Sequence, residues 1–196
     1  MDTGCRTEYQ HGEGDTAIAA TVIAVIRYCV TGIGIALAYF LYFTWSDARP
    51  ALEVILLTCV AFNGLVSFVS HVVFHKAEAA RLGLQSSSPV YQFEVGFANL
   101  AMGLSALAAI YFQWGIPVYI ILVLCYSLYI AQAVVLHFWR FVRGEKNDAG
   151  YLWGSVVFTA LYVANMLFFA LSAITQERLA PLSHASGYLQ CILFMV

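Results

Sequence analysis

The sequence is poor in charge. It has 9 Lys and Arg and 11 Asp and Glu in 196 residues, 10% charged in all. Soluble domains carry about 25%, so a soluble globule is excluded. The net charge is −2, which gives no large field for anionic partners and no basic footprint for nucleic acid. Cysteine is sparse and scattered, at Cys5, Cys29, Cys59, Cys125 and Cys191, without a C-x-x-C pair. That pattern argues against a disulfide framework or a zinc site. Nucleophile elbow, P-loop, dinucleotide fingerprint and H-E-x-x-H motifs are all missing. Gly12 and Gly14 form a G-x-G, but in a polar stretch with no strand before it. No internal repeat relates the two halves and no proline interrupts an apolar segment, which argues against inverted-repeat transporters. The first residues are acidic and polar rather than basic and then apolar, so neither a cleavable signal nor a lipidated Cys5 is expected.

What remains is hydrophobic: 62% of the residues, with a mean hydropathy of +0.80. Apolar segments near the ~20 residues that span a bilayer recur five times, over about 17–45, 51–75, 90–112, 118–139 and 151–174. The expected fold is all-α, an integral membrane bundle of about five transmembrane helices. Residues 1–16 read as a polar tail, disordered or lying on the surface. Residues 17–175 read as a single helical domain, and 176–196 as a short tail. Trp45, Trp114, Trp139 and Trp153 fall near segment ends, as an interfacial aromatic belt requires. With five spans, one side carries Arg6, Lys76, Arg81, Arg140, Arg143 and Lys146, and the other only Arg49 and Arg178. The bias of positive charge toward the cytoplasm then puts the N-terminus there.

The organising stretch is Ser86 to Phe112, a polar turn that becomes a span containing two misfits, Glu94 and Asn99. Ionisable groups in lipid are costly and are normally paired, turned inward, or chemically active. Gly96, Asn99 and Gly103 share one face of this helix and predict close packing there. In the second span Asn63, Ser67, His71 and His75 follow one another at i, i+4 and make a polar stripe. The stripe serves either interhelical hydrogen bonds, worth about 0.6–2 kcal/mol each, or a ligand or proton path.

His71, His75, Glu94 and His137 fall at one depth on the cytoplasmic side. They form a candidate metal or proton-handling set, and His71 with His137 could serve as axial haem ligands. A second level, mid-membrane, holds Arg27, Asn63, Asn99 and Asn165 as structural polar residues. Arg27 at that depth costs about 2.5–3.5 kcal/mol on insertion scales, and an Arg27–Glu94 ion pair is the expected answer. His11 and His184, in the tails, receive no role.

The stretch Ala79 to Leu107 carries Leu82-Gly83, Ser88-Pro89, Phe93-Glu94-Val95-Gly96-Phe97-Ala98-Asn99-Leu100 and Gly103. It resembles the core of a bacterial family of small multi-pass membrane proteins, a domain of unknown function with an S-P-F-Q-x-E-x-G-x-A-N-L-like motif. Here the motif reads Ser-Pro-Val-Tyr-Gln-Phe-Glu. His137, followed by a polar loop with Asn147 and Gly150, is similar to that family's second half. The resemblance implies a helical fold in the bacterial inner membrane and supports Glu94, Asn99 and His137, but implies no activity and no cofactor.

Three functions follow as expectations. The first is a multi-pass, non-enzymatic protein whose partners are the lipid bilayer and either further copies or a membrane complex. The second is a small transporter or a proton- or metal-ion-handling protein. The third is a haem-binding oxidoreductase subunit.

Overall fold

In the computed structural model the backbone is described over residues 4–45, 47–82 and 89–194, and the side chains over 18–45, 47–80 and 89–178. Every regular element among them is helical. They are α1 (Gly4–Trp45), α2 (Ala48–Val73), α3 (His75–Leu82), α4 (Val90–Tyr111), α5 (Ile116–Val142) and α6, residues 149–194. Five segments are long and apolar enough to cross a membrane: Ile18–Trp45 in α1, all of α2, α4 and α5, and Ala149–Arg178 in α6. The expected five-helix bundle is therefore what folds. The four tryptophans are all exposed, two toward each end of the bundle.

The connections explain the up-and-down order. Asp47 caps α2, accepting from Arg49 N at 2.9 Å, and Ala48 N donates to Gln176 Oε1 of α6 at 2.7 Å. Between α4 and α5 the chain turns through Gln113 and Gly115 at φ of 52° and 91°, with Pro117 in the first turn of α5, where its missing N–H is harmless. Asp148 caps α6 by accepting from Tyr151 N at 2.8 Å. One end of the bundle thus carries the α1–α2 and α4–α5 loops (the loop end), and the other carries α3 and the α5–α6 loop (the α3 end).

Three points differ from the sequence expectations. α1 is already helical at Gly4, and α6 continues so to Phe194. Once an apolar span has nucleated a helix, each further residue adds a bond at little cost, and no proline lies between Gly4 and the first span. The centre of the bundle is α2, not the helix that follows Ser86. Half of the most apolar window of α2 is buried, against 17–28% in the other spans, and it packs on α1, α4, α5 and α6. Finally, α2 is not uniformly α-helical. It widens to π-helix at Leu56–Phe62 and Val69–Val73, on either side of an α segment Asn63–Phe68. A third π stretch, Leu152–Val157, opens α6.

The two halves of the bundle are packed differently. Toward the loop end Ala51, Leu52, Ile55, Leu56, Cys59, Val60, Ala106, Ala109, Val123, Met166, Phe169 and Ala170 are fully buried, a dry apolar core. At mid-depth α2 and α4 touch backbone to backbone. A methyl group on Gly64 would lie 2.6 Å from Asn99 O and 2.9 Å from Gly103 Cα, and one on Gly103 would lie 3.0 Å from Ala61 O. Gly96 abuts His71 and Val72 of α2, so the face of Gly96, Asn99 and Gly103 packs as expected. Toward the α3 end the described residues leave a hollow.

Candidate functional site

Two adjoining cavities fill that hollow. The inner one, about 650 Å³, lies between α1 and α6 on a floor of α2 and α5, and the outer one, about 440 Å³, continues toward α3 and α4. Arg27, Tyr28, Ser67, Ile130, Gly154 and Thr159 line both, so the two share a waist at Arg27. α1 and α6 close together again nearer the loop end, where Tyr39 packs on Phe169 with ring centroids 4.8 Å apart.

The polar stripe of α2 forms one wall. Asn63 donates to Thr31 Oγ1 of α1 at 2.6 Å, and Ser67 Oγ accepts from Arg27 Nη1 at 3.4 Å. His71, next in line, faces the outer cavity. An α-helical i, i+4 series drifts about 40° per step, and the wider turn at Val69–Val73 offsets that drift. The stripe ends there. Phe74 leaves helical geometry (φ −103°, ψ 28°), and His75 opens a new helix in which its Nδ1 lies 3.1 Å from Val72 O and its ring meets Phe93 edge-on. His75 lines neither cavity.

The opposite wall belongs to α4 and α5. Asn99, 3% exposed, accepts from Tyr126 OH at 2.9 Å and approaches Tyr129 OH at 3.2 Å through Nδ2. Tyr162 of α6 donates its hydroxyl to the Cys59 carbonyl. Toward the α3 end His137 Nδ1 lies 2.6 Å from Tyr151 OH, and Arg140 Nε reaches Glu145 Oε2 at 3.3 Å. Asn165 reaches the inner cavity but spends its amide on Leu161 O at 2.7 Å.

The candidate metal set is divided by this geometry. His71 and His137 line the outer cavity, whereas Glu94 is exposed on the far side of α4 and His75 has turned away. Among the described residues no group of three His, Cys, Asp or Glu side chains is placed to hold a metal ion. The Arg27–Glu94 pair is likewise not formed: Arg27 rests on Ser67 and over the Tyr28 ring, 5.5 Å from its centroid. Helical rotation is the reason. Gln92, Gly96, Asn99 and Gly103 face inward at spacings of 4, 3 and 4, and Glu94, two residues past Gln92, lies about 200° round. Arg27, Asn63, Asn99 and Asn165 do all reach the cavities.

Sequence reasoning missed several wall residues, Gln92 and Glu78 among them. Gln92 is 4% exposed, lines the outer cavity, and its Oε1 has no hydrogen-bond partner among the described residues. Its signal was present, because it continues the Gly96–Asn99–Gly103 face by one turn. Glu78, also 4% exposed, lines the same cavity from α3. It carried no such signal, since only the break at Phe74 folds α3 against the bundle.

Among curated proteins, and among solved structures, nothing matches the chain. A family model does, over residues 16–180, and those residues hold all five spans and every residue of both cavity walls. The chain belongs to this family, DUF6790, a family of unknown function.

Proposed function

We propose that the protein is a small-solute-handling membrane protein that takes an organic anion into the cavities around Arg27. One observation carries this. A guanidinium with five donors sits in a membrane-spanning segment at the waist of two cavities, and its one hydrogen bond to a described residue is a 3.4 Å contact with Ser67. A cation in a bilayer calls for an answering charge, and none of the described carboxylates pairs with Arg27. A bound carboxylate or phosphate would supply both the charge and the bidentate acceptors that arginine recognises. The walls also leave room. A methyl group added at Gly32 or Gly154 would meet nothing within 4 Å, and the inner volume falls in the range of small-ligand sites.

This reading keeps the expected setting: one domain over 17–175, the bacterial inner membrane, and the N-terminus in the cytoplasm, so that the hollow opens inward. It holds for a chain that works alone or as a subunit of a membrane complex, and it moves the solute-handling role from a His/Glu set to Arg27. The test is thermal unfolding of the purified protein in detergent with butyrate, hexanoate and inorganic phosphate at millimolar concentrations. Ligands that bind only the folded state raise Tm by mass action. At least one of these anions should do so for the native protein and fail to do so for Arg27→Gln and for Gly154→Leu, which fills the waist. A native Tm that none of them moves, at a constant ionic strength, would remove the reading.

A further inference from the structure

The outer cavity holds a second unmet group, and it defines the other end of the ligand. Gln92 reaches this cavity from the first turn of α4, and its Oε1 is buried without a partner among the described residues. An orphaned buried carbonyl is costly and is rare in native structures unless water or a ligand completes it. Three donors on the surrounding wall are engaged elsewhere: Arg140 with Glu145, His137 with Tyr151, and Asn99 with Val95 O and Tyr129. Glutamine's terminal torsion is broad and roughly two-fold, so its amide can turn to the cavity without leaving a rotamer well. The acceptor waits for an N–H that none of the described residues provides.

We infer that the cavities bind an amido acid, with the carboxylate at Arg27 and the carboxamide at Gln92. The inference rests on the anion reading above and adds the second functional group. Continuity supports one molecule across both sites, because Arg27 lines the outer cavity together with Gln92. Gln92 itself favours a neutral N–H donor over an ammonium, because its amide presents a donor as well as an acceptor. A carboxamide also offers an acceptor alongside its donor and so can satisfy both ends of the Gln92 amide.

The experiment compares succinamate and glutaramate with their apolar isosteres 4-methylpentanoate and 5-methylhexanoate by calorimetric titration of the detergent-purified protein. At least one amido acid should bind roughly tenfold tighter than its isostere, the scale of a hydrogen bond that rescues a buried acceptor. Gln92→Leu should abolish that preference while leaving affinity for the isostere within about twofold. Equal affinities in the native protein, or a preference that survives Gln92→Leu, overturn the inference and leave the anion reading standing. If 4-aminobutyrate shows the Gln92-dependent gain instead, the neutral amide is wrong and the donor is a cation. If none of the acids binds, the anion reading fails first and this one falls with it.

Discussion

At Gly64 and Gly103 the helices meet through bare backbone, and neither position has room for a side chain. Small residues let membrane helices approach closely, and dispersion and polar contacts then replace the missing hydrophobic drive. Gly103→Val would force α4 off α2 and pull Asn99 from the Tyr126 hydroxyl, an overpacking cost of about 1–3 kcal/mol. The expected outcome is a lower Tm in detergent, with Gly32→Ala as a control that does not lower it, since a methyl there meets nothing within 4 Å. An unchanged Tm for Gly103→Val would show that the contact is looser than described. Asn99 and the two glycines of α4 were legible in the sequence because they share a face at helical spacing. Gln92 shares that face too. What hid it was the attraction of Glu94, whose charge is conspicuous in a sequence but whose position on the helix points it outward.

Among elements, α2 decides the architecture. Its π segments each insert a wider turn, and such turns often mark functional sites. Here they keep Asn63, Ser67 and His71 aligned along the cavity wall while Leu56, Cys59 and Val60 remain in the dry core. Inserting an alanine after Leu57, which is 47% exposed, in a turn that already holds its extra residue, should rotate everything after it by about 100°. Asn63 would lose Thr31, Ser67 would lose Arg27, and Gly64 would lose Gly103. Folded, monodisperse protein on size-exclusion chromatography should fall sharply, whereas Leu57→Ala should elute as the native protein does. Comparable elution of the insertion variant would mean that the π register is dispensable. The i, i+4 stripe was correctly read as far as His71. It failed at His75, because no spacing rule announces the backbone turn at Phe74.

Among the described residues the molecule is one-sided, close-packed by alanine, leucine and aromatic side chains toward the loop end and hollow toward α3. The arrangement predicts one-sided labelling by a membrane-impermeant maleimide, in a variant whose native cysteines have been replaced. Thr159→Cys, in the wall of both cavities, should react from the α3 side only. Ala106→Cys, fully buried, should react from neither. Labelling of Thr159→Cys from the loop end would indicate a path through the core and turn the vestibule into a channel.

The sequence alone determined five spans, their approximate limits, the small-residue face of α4 and the presence of polar groups at two depths. These follow from hydropathy and helical periodicity, which are local and survive without knowledge of neighbours. Only the tertiary structure decided which polar groups meet. Depth along a helix is readable from residue number, but lateral position depends on how each helix is rotated, and π turns and the Phe74 break change that rotation without a compositional mark. This is why His75 and Glu94, read at the same depth as His71 and His137, part from them in space, while those two histidines converge with Arg27, Ser67 and Gln92 on one connected hollow.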